Sequence, residues 1–253
     1  MPSNLLSTAA TDQAQPWRSI GSVQQLYIRD RQSAKPRPVA EAQAITGAGL
    51  QGDRHANPLS PRQLLIASAD TYRDLHLPAA VLRENLLVDF PTQELSSGSL
   101  LRIGQALVLW ITFQCEPCTL LDRRQPGVVK ALDGRRGVLA RVLRGGTVRI
   151  GDPISHLSSN IPPMSDAWQD RVVHVMRHVP QDKVLDYGQL ADLAGVAKSC
   201  CRAFPRMLAN RCPELAQRAQ SGKLLSPEQG WRGTELFGVR AFLSDLPDLR
   251  LDA

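Results

Sequence analysis

At Ser158 the spacing of apolar residues changes from a strand pattern to a helix pattern, and that change limits what the chain can fold into more than any other feature. Before it, short runs rich in Val, Ile and Leu are cut by Gly, Pro, Asn and Asp: Val23–Arg29, Gln63–Ile66, Asn85–Val88, Leu100–Ile103, Ala106–Phe113 and Thr147–Ile150. Runs of this length between turn formers read as strands. Helices are expected among them at Asp70–Leu75, Pro78–Arg83 and Val138–Leu143. After it, Trp168, Val172, Val175, Met176 and Val179 recur three and four apart, as on one face of a helix. A second helix is read over Tyr187–Ala194, ended by Gly195, and a third segment over Ser199–Ala209. The polar, proline-containing stretch Ser158-Ser159-Asn160-Ile161-Pro162-Pro163 between the two patterns reads as a linker. The expected organisation is α+β: a flexible N-terminus (1–17), a β-barrel-like domain (18–157), a linker (158–164) and a small mainly α domain (165–253).

With 253 residues, 43% of them hydrophobic, the chain can build a sizeable core. No apolar run approaches the roughly 20 residues that cross a bilayer, and Met1 to Trp17 lacks the apolar centre of a secretory signal, so a cytoplasmic protein without membrane contact is expected. Five cysteines fit a reducing compartment, with free thiols rather than structural disulfides. Of the 30 Lys and Arg and the 24 Asp and Glu, 12 and 11 lie in Met164–Ala253, so almost all of the +6 excess belongs to the first part. That placement favours an anionic cofactor or substrate there.

Phe113-Gln114-Cys115-Glu116-Pro117-Cys118-Thr119-Leu120-Leu121 puts two cysteines at the end of an apolar run. A thiolate in such a place is a soft-metal ligand or a nucleophile. A zinc site usually needs four ligands, and the other cysteines lie beyond the linker. Pro117 and the β-like continuation argue against a thioredoxin-like pair. Around the cysteines stand Gly49-Leu50-Gln51-Gly52-Asp53-Arg54-His55-Ala56, Leu82-Arg83-Glu84-Asn85-Leu86-Leu87-Val88, Gly134-Arg135-Arg136-Gly137-Val138 and Gly145-Gly146-Thr147-Val148-Arg149-Ile150-Gly151-Asp152. Over roughly Gly21 to Leu157 the pattern resembles the MOSC domain, the module named after the C-terminal part of molybdenum cofactor sulfurase. The resemblance implies binding of molybdenum cofactor, with Cys118 as the catalytic cysteine and metal ligand and Cys115 as its competitor. Arg54, His55, Arg83, Asn85, Arg136 and Arg141 could supply cations and donors to a pterin phosphate, since the arginine fork matches phosphate geometry. Asp53 is expected to orient Arg54 or cap its turn. In relatives the activity is sulfur transfer, or reduction of N-hydroxylated compounds. No pyridoxal phosphate, flavin, haem or iron-sulfur signature is present, so sulfur or electrons would come from an external donor protein.

The second part resembles another family. Val179-Pro180-Gln181-Asp182-Lys183-Val184-Leu185-Asp186-Tyr187-Gly188-Gln189-Leu190-Ala191-Asp192-Leu193-Ala194-Gly195, followed by Cys201-Arg202-Ala203, is similar to the winged-helix domain of O6-alkylguanine-DNA alkyltransferases and alkyltransferase-like proteins. The resemblance implies double-stranded DNA as a partner. Tyr187 would help rotate a nucleotide, Arg202 would fill the vacated stack, and Lys198 and Arg206 would meet phosphates. The acceptor motif Pro-Cys-His-Arg is missing, and Cys212 stands in Asn210-Arg211-Cys212-Pro213 without a neighbouring His, so self-alkylating repair is not expected. Non-enzymatic recognition of alkylated DNA is the alternative function. Pro205 is expected to kink or restart the third helix.

Overall fold

The computed structural model describes residues 17–32, 35–117, 119–159, 161–222 and 230–238. In the first part, β1 (Arg18–Ile28), β2 (Arg37–Pro38), β3 (Glu41–Ile45), β4 (Gly49–Leu50) and β5 (Leu64–Ser68) lead into α1 (Ala69–Asp74). There follow β6 (Leu86–Val88), β7 (Leu100–Ile103), β8 (Leu107–Gln114), α2 (Thr119–Asp122), α3 (Val128–Leu132), β9 (Val138–Arg144), β10 (Gly146–Arg149) and β11 (Pro153–Leu157). The order β11-β7-β8-β9-β5-β6-β1 closes through a β11–β1 pairing into a seven-stranded barrel. Only β5 and β6 pair in parallel within it. Strands β10, β3 and β4 form a small sheet of their own.

The side-chain period of two decides where each barrel residue goes. Leu107, Leu109 and Ile111 of β8 join the core inside the barrel, with Leu101 and Ile103 of β7, Leu64 and Ile66 of β5, and Val138, Ala140 and Val142 of β9. Their neighbours Leu100, Val108, Trp110 and Leu143 belong to a second core outside the barrel. That second core is shared with α4 (Trp168–His178), α5 (Tyr187–Leu193) and α6 (Phe204–Arg211), through Val172, Met176, Leu190, Leu193, Phe204 and Leu208. A strand buried on both faces loses the polar alternation that marks it in sequence. This is why the helix expected at Val138–Leu143 is strand β9, all of whose residues but the last are buried. The helix expected at Pro78–Arg83 is also corrected: the segment is a turn in which Ala80 and Arg83 hold left-handed φ of 57° and 66°. Two residues outside the right-handed region leave no run long enough for a helix.

The second part begins with α4, and β12 (Leu185–Asp186) leads directly into α5. The Asp186 carboxylate caps α5 by accepting the N–H groups of Gly188 and Gln189. The third segment is divided as the proline demands: a 3-10 helix runs over Lys198–Ala203, and α6 starts afresh with Pro205 in its first turn, where the missing N–H costs nothing. Strand β13 (Ala219–Gln220) pairs in parallel with β12. No helix among the described residues is long and apolar enough to cross a membrane. The expected flexible N-terminus lies, apart from Trp17, outside the described residues, as do Asn160 and the segments 223–229 and 239–253.

The helical region is locked to the barrel as well as packed on it. Gly195 adopts φ +62°, and a Cβ there would stand 2.8 Å from Phe113 Cζ and 2.8 Å from Pro61 Cγ. Its carbonyl accepts a hydrogen bond from Arg62 Nη1 at 3.2 Å. Gly195→Ala is therefore expected to cost roughly 1–3 kcal/mol, from backbone strain and overpacking together. A lower urea midpoint with an unchanged slope would show it; an unchanged midpoint would mean that Phe113 and Pro61 yield freely.

Candidate functional site

The Gly-Asp-Arg-His turn after β4 is built around one carboxylate. Asp53, only 5% exposed, accepts through Oδ2 from the backbone N–H of Arg29 at 2.9 Å and from the Asn85 amide at 2.8 Å. Its Oδ1 accepts from the His55 N–H at 2.8 Å. Asp53 thus ties the end of β1, the turn and the entry to β6 together, and caps the turn as its sequence position suggests. Asn85 completes the knot. Its Oδ1 accepts from Leu65 N at 3.1 Å, and its Nδ2 also donates to Tyr27 O at 3.2 Å.

Above this knot lies a cavity of about 310 Å³. Leu65 and Leu139, direct cross-strand partners on β5 and β9, contribute its apolar surface. Arg29, Arg54, Arg62, Arg83 and Arg136 bring five guanidinium groups, joined by His55, Asn85 and Cys115. Arg136 is buried and its Nη1 donates to the carbonyl of Glu116, which attaches it to the cysteine segment. Cys115 N donates to Gly137 O at 2.8 Å, so Cys115 and Glu116 are both tied to the residues just before β9. The Arg29 Nε and the Arg136 Nε are both buried, with no hydrogen-bond partner among the described residues.

So many cations in one place act on each other. Burial, and then the charges of Arg83, Arg54 and Arg136, pull Arg29 down to about 10 although Asp53 opposes them. Burial, and then Arg29, Arg62, Arg54 and Arg83, push His55 down to about 3. At neutral pH His55 is therefore an uncharged imidazole among arginines. Behind the wall, Tyr72 Oη donates to Glu84 Oε2 at 2.6 Å, and burial raises the Glu84 carboxyl.

Of the residues named from sequence, the fold brings Arg54, His55, Arg83, Asn85 and Arg136 into this one cavity. The Asn85 side chain holds the wall together through its own hydrogen bonds. Arg141 is not among the lining residues. Its Nη1 donates to Ser60 O at 2.9 Å and its guanidinium stacks 4.0 Å over the Phe237 ring, clamping the helical region to β9. Cys118 lies outside the described residues. Arg29 and Arg62 were not singled out in sequence; each stands at the edge of a strand run, Arg29 after β1 and Arg62 before β5. The four described cysteines are free thiols, and among the described residues no three His, Cys, Asp or Glu side chains gather as a metal-ligand set.

On the helical region, Tyr187 is half-buried with its ring edge-on to Phe204, centroids 6.0 Å apart. Lys198 pairs with Asp192 at 3.2 Å. Arg202 and Arg206 are exposed, on the 3-10 helix and on the first turn of α6.

Much of the barrel and of its cavity falls in a stretch that matches a known module, because the family model of the MOSC domain covers the Gly-Asp-Arg-His turn, the cysteine segment and the strands between them. Residues 52–155 match the MOSC domain. This MOSC stretch holds every residue of the cavity except Arg29, which β1 adds from outside it. Among solved structures, the chain is similar to the YuaD protein from Bacillus subtilis, at 22% identity over 56% of this chain and 99% of that one, with a TM-score of 0.49. It is also similar to YiiM from Escherichia coli, at 22% identity over 79% and 94% with a TM-score of 0.44, and to YiiM from Geobacillus stearothermophilus, at 16% over 77% and 100% with 0.44. No curated protein sequence matches the chain.

The depressed His55 makes stability depend on pH. Its folded pKa of about 3 lies below the ordinary 6.5, so the unfolded chain binds the proton more readily. The stability is fully present above pH 6.5 and is lost as pH falls from there toward 3. In urea titrations at a series of pH values, His55→Gln is expected to have a shallower loss than the parent in that window. Parallel curves would mean that His55 is not held neutral.

Proposed function

We propose that the arginine cavity binds molybdenum cofactor, and that the protein serves sulfur transfer or molybdenum-dependent reduction of N-hydroxylated compounds. The observation that carries this is the pair of buried guanidinium nitrogens, Arg29 Nε and Arg136 Nε, that have no acceptor among the described residues. Leaving a buried charged donor unpaired costs several kcal/mol, so cations held this way at a cavity wall call for an anionic ligand to complete them. Five arginine forks suit a phosphate better than a carboxylate alone. The uncharged His55 adds a donor or acceptor without further charge.

The soft side of the site is the Cys115–Cys118 segment. Cys115 lines the cavity, while the resemblance to MOSC domains assigns the metal-facing role to Cys118. When bound, the cofactor supplies a molybdenum centre that accepts thiolate ligation and exchanges oxygen or sulfur. Arg54, Arg62, Arg83 and Arg136 would hold its phosphate, and Arg29 would neutralise charge from beneath. An external donor protein supplies sulfur or electrons.

Protein purified from a host that makes the cofactor is expected to carry molybdenum and pterin in stoichiometric amounts, with the metal lost in Cys118→Ala and retained in Cys115→Ala. The reverse pattern would move the ligand to Cys115. A parent free of both molybdenum and pterin would sink the reading.

A second reading has an observation of its own: Arg202 and Arg206 are both exposed, on the segment whose sequence resembles the alkyltransferase-like recognition helix. There the helical region would bind duplex DNA, without chemistry, at an alkylated base. Fluorescence anisotropy is then expected to show tighter binding to a duplex carrying O6-methylguanine than to the plain duplex, weakened by Arg202→Ala and by rising salt. Equal affinities for the two duplexes would remove lesion recognition.

A further inference from the structure

Where the entry to α5's following turn meets the barrel, a second hollow of about 530 Å³ adjoins the cavity. It shares Arg54, His55 and Arg62 with the cavity and adds Arg31 from the barrel side and Lys198 from the helical region. Its acid is Asp192, already paired with Lys198. Two features make it more than a basic surface. Arg62 is half-buried and fixed by the bond to Gly195 O, which engages one of its five N–H donors. His55, which belongs to both hollows, is uncharged and can donate or accept without adding to the repulsion among the cations. Ala56, Pro58, Ala191 and Val196 add small and aliphatic surface, Asn57 and Ser60 add polar groups, and the His55 imidazole is the one aromatic ring among the described lining residues.

We propose that this groove is a subsite for the phosphate of a phosphate monoester, formed jointly by the barrel and the helical region. Charge and arginine forks select the phosphate. The volume exceeds what an inorganic ion fills and falls in the range of small-molecule sites, so the organic part of the ester lies in the groove as well. The shared wall of Arg54, His55 and Arg62 would then place such a ligand next to the arginine cavity, as a substrate presented to it. The binding claim stands without the cofactor assignment; only the word substrate rests on it.

The test is calorimetric titration of the full chain with ribose 5-phosphate at low ionic strength, with ribose as the uncharged control. Arg31→Ala and Lys198→Ala, both at exposed side chains outside the cavity, are each expected to weaken binding about tenfold. Arg83→Ala, at a residue that lines the cavity and not the groove, is expected to leave it unchanged. The proposal is overturned by no binding to the parent, by equal affinity in Arg31→Ala and Lys198→Ala, by ribose binding as well as its phosphate, or by an equal loss in Arg83→Ala, which would place the phosphate in the cavity. Molybdenum content separates the two claims: it should be unchanged in Arg31→Ala and Lys198→Ala, and its absence from the parent would remove the cofactor reading while the titration result stands.

Discussion

The Asp53 carboxylate organises the site. Three N–H donors from three separate segments converge on it, at the end of β1, in the turn after β4 and at the entry to β6. A buried carboxylate with these bonds is stable where a bare one would not be, and the bonds fix the backbone of Arg29 and of His55 and the side chain of Asn85, all three of which line the cavity. One anion beneath the wall thereby holds a set of cations that would otherwise repel each other apart. Because it does not neutralise all of them, the cavity keeps a net positive field.

That field is bounded by a second construction, the seating of the helical region on the barrel. Leu100, Val108, Trp110 and Leu143, outward residues of β7, β8 and β9, share a core with α4, α5 and α6, so the barrel has a covered flank. Arginines are used at this seam as structural pieces: Arg171 stacks 3.7 Å over Phe113 and donates to Ala194 O at 2.9 Å, and Arg141 stacks over Phe237. Guanidinium groups suit this because the plane stacks while the edge donates. Arg62 links the seam to the site, since it lines the cavity and is held by Gly195 of the helical region. Any displacement of that region would therefore be felt in the cavity.

Much of the strand framework was legible because the runs at Val23–Arg29, Leu100–Ile103 and Ala106–Phe113 are long, apolar and bounded by turn residues. The helices at Trp168 and Tyr187 were legible from their apolar spacing, and the Asp186 cap agrees with the start of α5. Strand β9 was misread because both of its faces are buried, one in each core, which erases the alternation. The strands β3 and β4 left no signal, since Glu41–Ile45 is mostly exposed with polar and small residues and β4 has only two residues. At the site, Arg54, His55, Arg83, Asn85 and Arg136 were named through the resemblance of their motifs to the MOSC domain, and the fold brings them to one cavity. Arg29 and Arg62 were not named, for an arginine at a strand end looks the same whether it meets solvent or a cavity.

The sequence by itself determined the β-then-helix order, the basic excess in the first part, and the presence of a cysteine segment among arginine-bearing turns. Those are properties of local spacing and composition, which a linear chain carries openly. Only the tertiary structure decided that Arg141 clamps a ring while Arg29 and Arg62 enter the cavity, that the helical region shares the barrel's outer core, and that His55 is held uncharged. Each of these depends on which groups come within a few ångströms across long sequence separations, where burial and neighbouring charge, rather than residue type, set what a side chain does.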